Sequence, residues 1–244
     1  MKGMILAAGY GERLRPETDT RPKPLFPIGQ TNMIRNAIGY LARHGITEIA
    51  INLHHLGHMI KEELSNHLPP SLKIHFIEEK VIMGTGGGIK GAEPYLNGSD
   101  FVVINSDVLV NLDLHAVIEF HREKNALATL VVRQNPAPEK IGVLEAAGDG
   151  KLIRFLTARA PGHSSQHAPL MFTGIHLFRH DFFQCIPGGR PVNISTEVYA
   201  PLVSAGAELY TYRYDGYWAD IGTPETYRAA SEDVQQGRFT PYGI

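Results

Sequence analysis

Between residues 4 and 104, short β-branched and aliphatic runs alternate with longer amphipathic stretches, and this alternation fixes the class of fold. Strands are expected at 4–8, 48–53, 73–78 and 100–104, with helices at 33–44 and 57–67. Strands separated by helices cannot pair as tight hairpins, so they are expected to lie side by side in a parallel sheet with the helices crossing its faces. Such sheets hold their ligands just beyond the carboxyl ends of the strands. The glycine-rich stretch after the first strand and Asn105-Ser106-Asp107 after the fourth are therefore the first places to look for chemistry.

Beyond a further strand at 126–133, Asn135-Pro136-Ala137-Pro138 breaks the regularity and the chain becomes richer in strands, expected at 142–145, 152–156 and 173–178. The stretch 161–169, rich in Gly, Ser and His, reads as an exposed loop, and 224–235 reads as a final helix. Neither a repeat nor a linker interrupts the 244 residues, so one domain in two lobes, 1–134 and 135–244, is expected. Its 43% hydrophobic content suffices for a single large core.

Charge excludes several classes of function. The formal net charge is −2, and Lys and Arg are scattered, so the chain lacks the basic field that nucleic acids require. Cys185 is the single cysteine and cannot form an internal disulfide, and MKGMILAAG carries no secretory leader, so a reducing cytoplasm is expected. No apolar run approaches the roughly 20 residues needed to span a bilayer, so no membrane partner is expected. Self-association is left open.

The most informative segment is Leu6-Ala7-Ala8-Gly9-Tyr10-Gly11-Glu12-Arg13-Leu14-Arg15-Pro16, with Thr18 and then Arg21-Pro22-Lys23-Pro24-Leu25. Glycines after a strand let backbone amides approach phosphates, and Arg13 and Lys23 add positive charge, so an anionic ligand is expected. Leu14 stands where a dinucleotide fingerprint needs glycine, and Asn52 follows the second strand where it needs an acid. A P-loop Gly-Lys-Ser/Thr is also absent, so dehydrogenase and P-loop kinase readings fail. His54 and His55 follow a strand, but adjacent strand residues point to opposite faces and no Cys cluster accompanies them, so they are expected to be structural or surface groups; His163 and His167 are expected to be solvated.

The run from Gly9 to Leu25 closely resembles the signature of sugar-1-phosphate nucleotidyltransferases, the NDP-sugar pyrophosphorylases. Gly84-Thr85-Gly86-Gly87-Gly88 resembles their base-binding loop, Asn105-Ser106-Asp107 their metal-binding strand end, and 217–224 their Trp-Asp-Gly-Thr segment. The resemblance implies an α/β fold with a Rossmann-like, mixed but mostly parallel sheet flanked by helices, its 1–134 lobe binding nucleotide and its 135–244 lobe binding sugar phosphate. By the same resemblance Arg13 and Lys23 are catalytic, and Leu6, Ala8, Gly9, Gly11, Glu12, Arg13, Gly84, Thr85 and Gly86 bind nucleotide. Asn105, Gly142, Arg159, Thr173 and Asn193 would bind the sugar phosphate, and Asp107 and Asp220 would hold Mg2+. The implied reaction joins an NTP and a sugar 1-phosphate into an NDP-sugar and releases pyrophosphate. Where relatives carry a Glu-Lys-Pro motif this chain reads Phe155-Leu156-Thr157-Ala158-Arg159-Ala160-Pro161, and Arg159 is expected to take the lysine's place. The loops at 52–57 and 85–89 look most like members using GTP or UTP with mannose, heptose or N-acetylmuramate 1-phosphate. A catalytic domain alone is expected, and the competing reading is a non-catalytic nucleotide-sugar sensor.

Overall fold

The computed structural model describes residues 1–139, 141–163 and 167–244. Its first strands are β1 (Lys2–Leu6), β2 (Pro27–Ile28), β3 (Thr31–Asn32), β4 (Glu48–Leu53), β5 (Lys73–Glu78), β6 (Phe101–Asn105) and β7 (Val108–Val110). They are followed by β8 (Ala128–Gln134), β9 (Leu144–Ala146), β10 (Leu152–Phe155), β11 (Ala158–Arg159), β12 (Leu170–Phe178), β13 (Leu209–Arg213) and β14 (Trp218–Asp220). The helices are α1 (Met33–Arg43), α2 (Gly57–His67), α3 (Gly84–Gly91), α4 (Glu93–Leu96), α5 (Leu114–Glu123), α6 (Ala200–Ser204) and α7 (Pro224–Gln235).

In the row β5-β4-β1-β6 every neighbouring pair runs parallel. The chain builds outward from β1 to β4 and β5, then returns to the other side of β1 for β6. A crevice therefore opens beyond the ends of β1 and β6, at the point where the strand order reverses. Past β6 the sheet becomes mixed: β12 runs antiparallel to β6, β8 and β9, while β13 runs parallel to β8. One sheet thus passes through both expected lobes.

Alternation along the central strands sends side chains to two cores. Met4, Ala50, Phe101 and Val103 face one, which is completed by Phe178, Phe182 and Tyr199. Ile5, Ile49, Ile51, Val102 and Ile104 face the other, beneath α1, α2 and α5. A smaller cluster including Leu14, Phe26, Leu109, Ile221 and Phe239 seats α7 against the start of the chain.

Several elements depart from expectation. β1 ends at Leu6 rather than 8, because the Ala7 N–H leaves the sheet and donates to Asn52 Oδ1 at 2.9 Å. The Gly84–Gly88 run is not a loop but the opening of α3. α5, β13 and the β7–β14 ribbon were not anticipated; α5 carries buried Leu114, Val117, Ile118 and His121 at helical spacing, after an Asp113 cap that accepts from His115 N. β12 begins at Leu170 and continues through a bulge, where Gly174 has φ 85° and where a Cβ would lie 2.9 Å from Asn105 Nδ2. His54 and His55 follow β4, whose bounds are those expected. Of the expected loop at 161–169, residues 164–166 lie outside the described residues. Among the described residues, no helix is long and apolar enough to cross a membrane.

Candidate active site

The strand register aligns Leu6 with Asn52 on one side and with Asn105 on the other, so three strand ends form one row. That row floors a cleft of about 230 Å3, which Ala8, Gly9, Lys23, Gly84, Thr85 and Asp107 also line. Lys23 is shared with an adjoining hollow bounded by Tyr10, Gly11, Glu12, Arg13 and Gly222. The two spaces together form a trough over the crevice that the topology creates.

The turn from β1 to Lys23 depends on local chemistry. Gly11 has φ 66°, and a Cβ there would meet Thr18 Cγ2 at 2.8 Å, so this position needs glycine. Thr18 is buried and donates its hydroxyl to Gly11 O at 3.0 Å, which explains the threonine in the motif. Tyr10 leans on the rings of both histidines after β4. His54 Nδ1 lies 2.7 Å from Glu79 O, so that nitrogen donates; Nε2 then accepts from the Tyr10 hydroxyl at 3.0 Å. His55 Nε2 donates to Thr18 O at 2.7 Å. The two histidines brace the glycine loop.

Charge gathers at the far end of the cleft. Lys23 and Asp107 form an ion pair whose side chains are 16% and 13% exposed. The short ribbon of β7 and β14 sets Asp220 against Val108, and Ile221 N donates to Asp107 O at 3.0 Å, so the second aspartate is carried to the first. Burial and the negative charge of Asp107 push the Asp220 carboxyl above its ordinary range, against the pull of Lys23 and Arg13. Asp107 Oδ1 is buried and has no hydrogen-bond partner among the described residues. Gly222 gives Arg13 its place, since a Cβ there would lie 2.7 Å from the guanidinium. Two carboxylates and two cations thus crowd together, with at least one oxygen unsatisfied.

The other sequence-derived residues divide. Leu6, Ala8, Gly9, Gly84 and Thr85 line the cleft, and Gly11, Glu12 and Arg13 line the adjoining hollow. Gly86 does not line the cleft: its N–H donates to Val192 O at 2.9 Å, and a Cβ would meet Val192 Cγ1 at 2.7 Å. Of the expected acceptor residues Asn105 reaches the cleft. Thr173 is buried and spends its hydroxyl on Val131 O, and Asn193 caps the turn at 194–199 by accepting from Ser195 N and Thr196 N. Gly142 is exposed beside Leu156.

Arg159 pairs with Glu145 at 3.3 Å, and Arg154 pairs with the same carboxylate at 2.5 Å. Burial pushes the Glu145 carboxyl up, but Arg154, the His167 N–H and Arg159 together hold it below its ordinary value. Asn52 and Glu79, both nearly buried in the cleft wall, were missed as site residues. The rule that pointed to Asp107, a polar group just past a strand end, applies equally to Glu79 after β5.

A family model described as nucleotidyl transferase matches residues 2–237. The chain is 30% identical to a UTP–glucose-1-phosphate uridylyltransferase of Synechocystis sp., across 96% of its own length and 63% of the relative. It is 33% identical to a mannose-1-phosphate guanyltransferase of Yarrowia lipolytica, across 93% of its own length and 62% of the relative. The chain therefore spans less than two thirds of these curated relatives. In fold it is similar to the crystal structure of a putative glucose-1-phosphate thymidylyltransferase from Bacillus anthracis. That similarity has a TM-score of 0.79 and 23% identity, and covers 100% of this chain and 98% of the other.

Proposed function

We propose that this chain, which belongs to the nucleotidyl transferase family, joins a sugar 1-phosphate to a nucleoside triphosphate and releases pyrophosphate. The observation that carries the reading is the carboxylate pair Asp107 and Asp220 beside Lys23 and Arg13, at the far end of a glycine-walled cleft. A phosphate oxygen of the sugar substrate attacks the α-phosphorus of the nucleotide, forming one P–O bond as the bond to pyrophosphate breaks. That oxygen is already ionised near neutrality, because a phosphate monoester has a second pKa of about 6, so no general base is needed. The backbone amides of Gly9 and Gly11 orient the phosphates, and Lys23 and Arg13 neutralise charge on them.

Magnesium fits the residues present. Two carboxylates held together with an unsatisfied oxygen offer hard, anionic donors that phosphate oxygens and water would complete. Asp107 and Asp220 would hold the ion, which when bound supplies charge neutralisation at the phosphates. The 1–134 segment is proposed as the nucleotide lobe and 135–244 as the acceptor lobe, with Asp220 reaching across from the second. Around the acceptor, Asn105, Gly142 and Asn193 are proposed as sugar contacts, whereas Thr173, buried with its hydroxyl donated to Val131 O, supports the wall behind them. Arg159 is proposed to meet the acceptor phosphate, because two guanidiniums against one Glu145 carboxylate leave a positive charge over. GTP or UTP with mannose, heptose or N-acetylmuramate 1-phosphate is the proposed substrate range, and a reducing cytoplasm the proposed setting.

Pyrophosphate release with magnesium, measured across the common NTPs and a panel of sugar 1-phosphates, tests the reading. Release that depends on one nucleotide and one sugar phosphate is expected. Nucleotide binding without release from any pair would sink it and leave a sensor in its place.

A further inference from the structure

We propose that Glu79 makes this cleft selective for guanine; the inference rests on the nucleotide-transfer reading and names the base within it. Glu79 follows directly on β5 and faces the cleft with 8% of its surface exposed. Its Oε1 accepts from Asn52 Nδ2 at 2.7 Å, and its Oε2 accepts from Met83 N at 2.8 Å. Both oxygens act as acceptors, and each keeps a further lone pair.

Asn52 is fixed just as firmly. It is 3% exposed, and its Oδ1 accepts from Ala7 N at 2.9 Å, which decides the end of the amide that meets Glu79. One amide hydrogen is used on Glu79 and the other remains. Gly88 leaves room for the pair, since a Cβ there would lie 2.7 Å from Asn52 Nδ2 and 2.9 Å from Glu79 Oε1. The wall thus offers two acceptor oxygens side by side and one spare donor.

Of the common bases, guanine alone presents two adjacent donors on one edge, its ring N1–H and its 2-amino group, next to a carbonyl. Adenine and cytosine set an amine beside a ring acceptor. Uracil sets one N–H between two carbonyls, so a carbonyl would face the second carboxylate oxygen, leaving repulsion and an unpaired buried group. The spare Asn52 hydrogen complements the guanine carbonyl. Family membership does not make this choice, because the relatives above are named for uridylyl, guanyl and thymidylyl transfer.

Equilibrium binding of GTP, ITP and UTP to the full chain with magnesium tests the proposal, followed by the same titrations of Glu79→Gln. The wild type is expected to bind GTP at least about tenfold more tightly than UTP, or than ITP, which lacks the 2-amino group. In Glu79→Gln the preference for GTP over UTP should shrink by about the same factor, because the amide sets a donor beside its acceptor. Equal wild-type affinity for GTP and UTP overturns the proposal. So does a variant that loses both equally, since Glu79 would then serve only as a scaffold for Asn52 and Met83. Should the variant fail to melt cooperatively, the wild-type comparison of GTP with ITP decides alone. Binding needs no acceptor, so the two readings can fail separately. GTP-selective binding without pyrophosphate release breaks the transfer reading and keeps this one, whereas release with UTP alone does the reverse.

Discussion

Glu145 and Asp107 are both carboxylates withdrawn from water, with side chains 3% and 13% exposed, yet their surroundings differ in kind. Glu145 accepts from Arg154, from Arg159 and from the His167 N–H, so both of its oxygens are served. Asp107 has Lys23 on one oxygen, no hydrogen-bond donor on the other among the described residues, and a second aspartate pressed against it. A buried charge that is fully paired serves the fold; one left short of partners costs stability and is kept for what will complete it. The Glu145 carboxylate is therefore closed off within its own cluster, whereas the cleft leaves a carboxylate oxygen open.

The largest effect expected from this contrast lies at the cleft. Asp107→Asn should lower pyrophosphate release on the order of 10^2-fold or more while moving the melting temperature little, because relief of the repulsion with Asp220 offsets the loss of the Lys23 pair. Steady-state rates beside a thermal melt check it; near wild-type turnover would remove Asp107 from the chemistry. Glu145→Ala should do the opposite, costing about 2 kcal/mol of stability, or roughly 5 °C, while turnover per folded molecule changes little. A variant as stable as the wild type would break the comparison.

Next comes pH. Burial holds His121 at about 4 and His176 at about 3, both well below the ordinary histidine value. Above pH 7 both rings are neutral in the folded and unfolded chains, and pH has no leverage through them. Below about 6.5 the unfolded chain takes up protons that the folded rings refuse, so stability falls by roughly 1 kcal/mol per pH unit for each ring. Denaturant unfolding at pH 7 and pH 5 measures the slope, and His121→Gln should remove one ring's share; an unaltered slope would reject that source.

The smallest expected effect is also the sharpest probe of the contrast. Arg159→Ala should raise KM for the sugar phosphate about fivefold and leave KM for the nucleotide alone, consistent with loss of one charge-assisted contact of roughly 1 kcal/mol. If stability falls and neither KM moves, Arg159 belongs wholly to the Glu145 cluster.

What could be read from the sequence followed from how local each signal is. α7 was legible to the residue because its start is written locally: Thr223 caps it, Thr226 reciprocates and Pro224 takes the first turn. α3 was not, because five glycines in eight residues argue against a helix. It forms because Val192 and the Asn52–Glu79 pair occupy the space that side chains at Gly86 and Gly88 would need, and the sequence gives no local sign of those neighbours. Arg13 and Lys23 were legible because they belong to one continuous motif after β1, and Asp107 because it follows closely on β6. Glu79 follows β5 much as Asp107 follows β6, but no motif marks it, and its meaning depends on an asparagine 27 residues away.

The ribbon joining β7 to β14 also sets an order of assembly during synthesis. A ribosome that has released the first 200 residues has made the glycine loop, Lys23 and Asp107, but not Asp220. The nascent chain at that point also lacks Gly222, against which Arg13 is seated. The pair of aspartates is complete only once one three-residue strand, β14, has paired with β7.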